Sequence, residues 1–208
     1  MIYELAIANA DDAGEDNIKK SIENIKGAIT ETGGEVLIED DWGRVRFAQA
    51  TADKKETARF FVLVYSAPAD TNFEVNRRLG ISEVVLKHLI IKCPKLKAED
   101  VVKTYRSPYS KKYSGSALDE MEEKGSDMAK SRRKFAKRRT CWFTAKKVRA
   151  DWKDPQTFNW LINEFGKISA ARVSGVSRKH QRFATTAIKR ARAIGIASSI
   201  SNYTAKSL

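Results

Sequence analysis

One stretch, residues 177–194, constrains this chain more than any other, because it fits an amphipathic helix whose polar side carries charge of a single sign. On a helix with about 100° per residue, six apolar side chains share one arc of about 140°. These are Phe183, Ala184, Ala187, Ile188, Ala191 and Ile194. The opposite side carries Arg178, Arg182, Lys189 and Arg192, with Lys179 and Arg190 on one flank. The pattern predicts one face for a protein core and another for a partner rich in negative charge.

The cationic face of this helix favours nucleic acid over solvent as its partner. No Asp or Glu occurs between Ser174 and Ile194, so the face lacks the mixed charges of an ordinary soluble surface. Charges of one sign repel each other, and a polyanion relieves that repulsion. Ser174 and Ser177 are the candidate N-caps, since a hydroxyl can accept from the free amides of the first turn.

The net charge of +13 is distributed unevenly along the 208 residues. Residues 1–96 carry a net charge of −3, whereas residues 97–208 carry +16. Two parts of opposite character favour two modules, of which only the second is suited to a polyanion. We expect a first domain over 1–95, a linker over 96–130 and a second domain over 131–208.

Composition excludes several classes of protein. No apolar run approaches the roughly 18–20 residues that span a bilayer, and the first ten residues do not resemble a secretory signal, so we expect no membrane partner. Cys93 and Cys141 are isolated in the sequence. Reduced thiols are therefore expected, with no metal site and no cofactor.

The first part alternates strand and helix patterns. Apolar and β-branched runs predict strands over 2–8, 35–48, 59–67 and 84–92, with a bulge near 40–43. Periodic apolar residues predict helices over 16–32 and 70–79. The order is βαββαβ, which is that of the ferredoxin-like fold, and its first and third strands should be central. The fold class expected for the whole chain is α+β, with a small, basic and mainly helical domain after this one.

An active site is not expected in the first part. His88 falls in a strand, and the adjacent Asp40 and Asp41 would point to opposite faces of theirs, which makes a poor acid/base pair. An acylphosphatase-like enzyme would need an arginine in the loop at residues 9–12, which supplies Asn9 and two acids instead. No P-loop, GxGxxG or HExxH motif occurs.

Several motifs in residues 1–95 carry a resemblance. Tyr3-Glu4, Gly33-Gly34, Asp41-Trp42-Gly43-Arg44, Arg46-Phe47-Ala48 and Glu83 to His88 occur in the order found in one family. This part resembles bacterial small-subunit ribosomal protein number six.

The join over 96–130 is balanced in charge and rich in serine and threonine, which favours an extended or mobile tether. Tyr105, Tyr109 and Tyr113 recur every four residues. They form either a packing stripe or a stacking surface, and tethering is the favoured interpretation.

The second part begins with a dense basic arm over 131–139, which can neutralise phosphates before it is folded. The aromatic run at 141–144 follows as a packing element. A short helix is expected over 155–164, with Asp154 as its N-cap and Gly166 after its end. Its buried side would be Phe158, Leu161, Ile162 and Phe165.

The second part is similar to bacterial small-subunit ribosomal protein number eighteen. The pattern includes Arg132-Arg133-Lys134, Asp151 to Asp154, Gly166-Lys167-Ile168, Arg172, Lys179 to Arg182 and Ala187 to Arg192. The resemblances imply a structural, non-enzymatic ribosomal protein in which two habitual partners are fused and dock on each other. It would bind the central domain, or platform, of small-subunit ribosomal RNA beside neighbouring small-subunit ribosomal proteins. The acidic first half would offer a complementary surface to the basic second half.

The resemblance and the basic pattern together nominate a set of RNA-binding residues. They are Arg132, Arg133, Lys134, Arg138, Arg139, Lys167, Arg172, Arg178, Lys179, Arg182, Lys189, Arg190 and Arg192, with Arg44 and Arg46 as lesser candidates. The expected location is a bacterial-type cytoplasmic ribosome, with an organellar ribosome as an alternative. A free RNA-binding translational regulator that uses the same basic face is the alternative function.

Overall fold

The computed structural model describes residues 1–93, 98–116 and 141–207. The strands are β1 (Ile2–Ala10), β2 (Glu35–Arg46), β3 (Thr57–Ser66), β4 (Val85–Lys92) and β5 (Lys206–Ser207). The helices are α1 (Glu15–Glu31), α2 (Thr71–Ile81), α3 (Ala98–Thr104), α4 (Trp142–Ala145), α5 (Ala171–Ser174) and α6 (Arg178–Ile194). Short 3₁₀ turns lie at Asp11–Ala13, Pro155–Thr157 and Asn159–Leu161.

The first four strands and first two helices form the predicted βαββαβ unit. The sheet order is β4-β1-β3-β2-β5, and every pair is antiparallel, so β1 and β3 are central among the first four strands, as expected. The predicted bulge lies between Asp41 and Gly43. Gly43 takes a φ of 73° there, and its amide donates to the Asp41 carboxylate at 2.8 Å. This is a ferredoxin-like fold.

Helices α1 and α2 cover one face of the sheet. Tyr3, Leu5 and Ile7 of β1 point to that face and pack with apolar residues of β3 and of both helices. The helix residues in this core are Ile25, Ala28, Ile29, Val75 and Leu79. Alternate residues of a strand point to opposite faces, so the next residues of β1 must be covered by something else.

The rest of the chain covers the second face of the sheet. Ala6 and Ala8 of β1, with Val62 and Val64 of β3, share one continuous core with the described residues after 97. Helix α6 contributes Ala184, Ala187, Ile188, Ala191 and Ile194 to that core. All nine residues of β1 are therefore buried, which a sheet covered on a single face would not allow.

Residues 98–116 are packed against the sheet, which corrects the expectation of an extended or mobile tether for this part of the join. Val101 and Tyr105 are buried. The Tyr105 hydroxyl donates to the Asp40 carboxylate at 3.0 Å, and the Ser110 hydroxyl donates to it at 2.6 Å. Tyrosines that recur every four residues thus form a packing stripe, with Tyr105 against Tyr113 at 5.3 Å between ring centroids.

The predicted helix over 155–164 is absent from the described structure, which has two 3₁₀ turns there and a bridge between Ile162 and Ile168. The Asp154 cap is present, since its carboxylate accepts from the Gln156 amide at 3.1 Å. Phe165 was expected to be buried but is 75% exposed, because the chain turns at Gly166 instead of continuing a helix.

The carboxyl-terminal residues return to the sheet. Ala197 bridges Thr204, and β5 pairs with Val45 and Arg46 at the end of β2. Among the described helices, none combines the length and apolar composition that crossing a lipid bilayer requires.

We predict that Gly195→Ala lowers the free energy of unfolding by about 2–4 kcal/mol. Gly195 ends α6 with a φ of 93°, and a Cβ there would come within 2.5 Å of the Phe47 ring. Two costs would therefore add: the strain of an alanine in the left-handed conformation and the steric clash of its Cβ with Phe47. Denaturant unfolding followed by circular dichroism measures the change.

The matched control is Gly175→Ala. Gly175 also takes a positive φ, 72°, but nothing lies within 4 Å of a Cβ built on it. This variant carries backbone strain alone and should lose about 1–2 kcal/mol. Equal losses in the two variants would contradict a close approach of Phe47 to the end of α6.

Candidate nucleic-acid interface

Helix α6 is formed as the sequence predicts. The Ser177 hydroxyl accepts from the His180 amide, and Gly195 closes the helix in the left-handed conformation. The predicted apolar stripe is buried except for Phe183, which is half-buried at its edge. Since the stripe faces the sheet, the opposite side of α6 faces outward.

The outward side of α6 carries four exposed cations. They are Arg178, Lys179, Arg182 and Lys189. None of the four forms an ion pair with an acidic side chain within the described residues. Unpaired cations on one face are suited to bind phosphate groups, because no internal acid has to be displaced first. We refer to these four residues as the α6 cationic face.

Arg190 and Arg192 differ from these four. Arg192 donates to the backbone carbonyls of Ser198, at 3.1 Å, and of Gly166, and burial lowers the pKa of its guanidinium. It therefore holds together the two loops that flank α6. Arg190 is half-buried on the flank of the helix that faces β4. Both were nominated as RNA contacts from the resemblance and the basic pattern together.

Lys167 and Arg172 are exposed on the segment that precedes α6. Gln181 donates to the Ser169 carbonyl at 2.9 Å, which ties this segment to the first turn of the helix. The Lys167 amide donates to the Asn163 side chain at 2.7 Å. The two cations lie at different ends of α6: Arg172 directly precedes its first turn, whereas Lys167 follows Gly166, which packs against Ser199 and accepts from Arg192 near the carboxyl-terminal end.

The remaining nominated residues fall into two groups. Arg44 pairs with Asp11, and Arg46 pairs with Glu56 at 2.8 Å, so both cations have acidic partners on the surface. The five residues of the basic arm lie outside the described residues: Arg132, Arg133, Lys134, Arg138 and Arg139.

A buried charge pair joins the two parts of the chain. The Lys153 ammonium donates to the Glu4 carboxylate at 2.8 Å, and the Trp152 indole donates to the same carboxylate at 3.0 Å. Asp151 is a second partner of Lys153, at 3.0 Å. Burial alone would lower the pKa of Lys153, but the two carboxylates outweigh it and raise that pKa. This lysine therefore stays charged inside the protein.

Trp42 lies at the centre of an aromatic cluster beside that pair. Its ring contacts the rings of Phe60, Tyr109 and Trp152, with centroid distances of 6.1, 5.2 and 6.1 Å. Its indole donates to the buried Asp40 carboxylate at 2.8 Å. The sequence analysis overlooked Glu4 and Asp40 as docking residues. For Glu4 the available signal was a lone acid within an otherwise apolar strand, whereas Asp40 lies between Glu39 and Asp41 and no local pattern distinguishes it.

Cys141 and His180 meet at the start of α6. The Cys141 Sγ and His180 Nδ1 atoms are 3.3 Å apart. Burial raises the pKa of Cys141, but backbone hydrogen bonds from Ser177 and Thr144 and the His180 side chain outweigh it and hold that pKa below its usual range. Among the described residues, no group of three or more His, Cys, Asp or Glu side chains could hold a metal ion.

We predict that Lys153→Met lowers the free energy of unfolding by about 3–5 kcal/mol, because it leaves the buried Glu4 carboxylate without its cation. Glu4→Gln should cost less, because Asp151 still pairs with Lys153 at 3.0 Å. The double variant should recover most of the stability lost in Lys153→Met.

The stabilisation from Lys153 should depend on pH. Because folding raises the pKa of Lys153, its contribution to the free energy of unfolding is complete below about pH 10.4, the pKa in an unfolded chain, and is lost only as the pH rises past the pKa in the folded protein.

Denaturant unfolding of the unsubstituted protein, the two single variants and the double variant measures the coupling free energy between Glu4 and Lys153. The exposed Arg46–Glu56 pair, taken through the same substitutions, is the control and should show little coupling. Additive losses at Glu4 and Lys153 would contradict a direct, buried interaction between them.

We predict that the Cys141 thiol titrates below the value of about 8.5 that is usual for a free cysteine. Thiolate absorbance against pH measures this in Cys93→Ser, which removes the other thiol, whose pKa burial raises to about 11. A lowered folded pKa means that the thiolate stabilises the fold above about pH 8.5 and that this contribution disappears as the pH falls through the folded value.

His180→Gln added to Cys93→Ser removes the imidazole and should move the Cys141 titration upward. An unchanged titration would show that the histidine does not act on this thiol.

Comparison with known proteins assigns both parts of the chain. A family model described as Ribosomal protein S6 matches residues 2–92, and one described as Ribosomal protein S18 matches residues 146–197. The small ribosomal subunit protein bS18 of Geotalea uraniireducens is 46% identical over 79 residues, which are 38% of this chain and 87% of that protein. The bS18 protein of Treponema pallidum is 37% identical over 79 residues, or 38% of this chain and 80% of that protein.

A crystal structure of 30S ribosomal protein S6 from Thermotoga maritima is also similar. It is 16% identical, with a TM-score of 0.44, and the match covers 50% of this chain and 97% of that one. Both families consist of structural proteins of the small ribosomal subunit and not of enzymes. The chain belongs to the ribosomal protein S18 family through its second part, and it carries a ribosomal protein S6 domain fused ahead of it.

Proposed function

We propose that this chain is a structural component of the small ribosomal subunit that binds the central domain, or platform, of the ribosomal RNA. The S6 and S18 domains would act as one covalently joined pair. The α6 cationic face, with Lys167 and Arg172 beside it, contacts the RNA phosphates. The basic arm over 131–139 extends the same function.

The observation that carries the proposal is the orientation of α6. Its apolar stripe is buried in the core shared with the sheet, so the helix cannot rotate, and the α6 cationic face is held outward without acidic partners in the described residues. A fixed array of cations suits the fixed phosphate positions of folded RNA, which proteins recognise by shape and backbone.

Fusion of the two domains supports joint action on one RNA. Covalent linkage replaces a bimolecular encounter by an intramolecular one, which raises the effective concentration of each domain at the other. The buried Glu4–Lys153 pair supports docking of the S6 and S18 domains on each other. The partners would be small-subunit ribosomal RNA, neighbouring ribosomal proteins and the two domains themselves.

The proposed location is a ribosome of bacterial type, in the cytoplasm or in an organelle. Sedimentation of a cell lysate with immunodetection of both domains tests this. Full-length chain that migrates with the small subunit, at one copy per particle, supports the proposal. Full-length chain at the top of the gradient favours the alternative, a free RNA-binding translational regulator.

We predict that Lys179→Gln combined with Lys189→Gln weakens binding to a transcript of the central domain of small-subunit ribosomal RNA. Loss of two phosphate contacts should reduce the slope of log affinity against log salt by about 1.5. Filter binding at several salt concentrations measures both the affinity and the slope.

Lys19→Gln combined with Lys20→Gln is the matched control. Both lysines are exposed on α1, on the face of the sheet away from α6, and the pair removes the same charge. The control should keep its affinity and salt slope. Equal behaviour of the two double variants would contradict binding through the α6 cationic face.

A further inference from the structure

A groove of about 490 Å³ lies between the two domains, on the flank of α6 and apart from the α6 cationic face. The S6 domain contributes its wall at the end of β4, with Ile91, Lys92 and Cys93. The S18 domain contributes Arg149, Phe183 and Arg190. We propose that this groove binds one unpaired nucleotide of the RNA. The inference rests on the proposed function and adds a specific site to it.

The volume of the groove suits a single nucleotide. Sites for small molecules in proteins measure about 300–1,000 Å³, and the groove lies in the lower half of that range. A duplex needs a far larger surface, so only a nucleotide that leaves its helix can enter. Unpaired and splayed-out bases are the features of RNA that proteins recognise most specifically.

The charge of the groove is positive where a ligand would meet it. Two acids line it, Glu4 and Asp151, and both are paired with the buried Lys153. Lys92 and Arg149 are exposed at its rim, and neither forms an ion pair within the described residues. Arg190 lies close enough to Cys93 to oppose the rise in the pKa of that thiol, which burial causes. The two acids share the single positive charge of Lys153, so with Lys92, Arg149 and Arg190 there are four cations against two acids and the groove keeps a net positive charge.

A stacking platform stands beside these cations. The Arg149 guanidinium carbon lies 3.8 Å from the centre of the half-buried Phe183 ring. A guanidinium plane held in this way can accept a base on its other side, because bases stack on both aromatic rings and arginine. The base would lie on Arg149, and its phosphate would lie between Lys92 and Arg190.

Neither domain can form this site alone. Lys92 belongs to the S6 domain, while Arg149, Phe183 and Arg190 belong to the S18 domain, and the groove between them exists only when the two are docked. The nucleotide would therefore bind the docked pair more tightly than the separated domains and would stabilise docking by the same free energy.

Photo-crosslinking tests this site with the full chain. The probe is a transcript of the central domain of small-subunit ribosomal RNA that contains 4-thiouridine, bound at saturating concentration and irradiated with long-wavelength light. Mass spectrometry then identifies the cross-linked residues. We expect a cross-link within residues 149–152 or at Phe183, in addition to those on the α6 cationic face.

Arg149→Gln should reduce the groove cross-link at least fivefold and leave the cross-links on the α6 cationic face unchanged. Arg149 is exposed, so this variant should fold, and an unchanged thermal midpoint verifies that. Lys20→Gln, which removes an exposed cation on α1 far from the groove, is the control and should keep the groove cross-link at saturation. Phe183→Leu keeps an apolar side chain and removes the ring, and we expect the same loss as for Arg149→Gln.

The outcomes separate the two proposals. Cross-links confined to the α6 cationic face, with none in the groove, would overturn the nucleotide site and leave RNA binding intact. A groove cross-link that Arg149→Gln does not weaken would also overturn it. A chain that does not bind the transcript would overturn the proposed function and, with it, this inference.

Discussion

The buried carboxylate of Glu4 is the interaction on which the arrangement of the two domains depends. Glu4 lies in the middle of a central strand and is only 6% exposed, so without partners its charge would be strongly unfavourable. Its partners, Trp152 and Lys153, come from nearly 150 residues away in the chain. A buried ion pair contributes little net stability compared with apolar packing, but separating its members is costly. The pair therefore selects one docking position among the many that an apolar face would accept.

Apolar packing on the second face of the sheet holds the rest of the interface between the two domains together. In a ferredoxin-like domain the helices cover one face only, and here the other face presents small residues such as Ala6 and Ala8. Helix α6 also presents small side chains to this core, among them Ala184 and Ala187, and small side chains on both elements allow helix and sheet to approach closely. Asp40 then fixes residues 98–116 through two hydrogen bonds, from Tyr105 and Ser110, and is itself held by a third from Trp42. Residues 98–116 of the join are therefore part of the interface between the domains, as well as a connection between them.

The sequence was informative wherever structure depends on neighbours along the chain. The period of α6, the cap at Ser177 and the βαββαβ order follow from local patterns, and all three are present in the structure. Residues whose role depends on distant partners could not be placed in this way. Arg192 has the same position in the helical pattern as the exposed cations, yet two loop carbonyls hold it. The β5 strand spans two residues, Lys206–Ser207, and its existence depends on the free edge of β2, which no local pattern reports.

Helix α6 connects docking with the proposed RNA binding, because one element carries both the buried apolar stripe and the α6 cationic face. Rotation of the helix would remove its apolar stripe from the core, so the docked S6 domain holds the α6 cationic face in one orientation. Charge repulsion within that face opposes folding of the S18 domain alone, and the apolar area buried on the sheet offsets it. A polyanion that neutralises the same cations favours the docked state further. The division of charge between the two halves fits the proposed function: the basic half needs an apolar support and an anionic partner, and the acidic half provides the support without attracting the same polyanion.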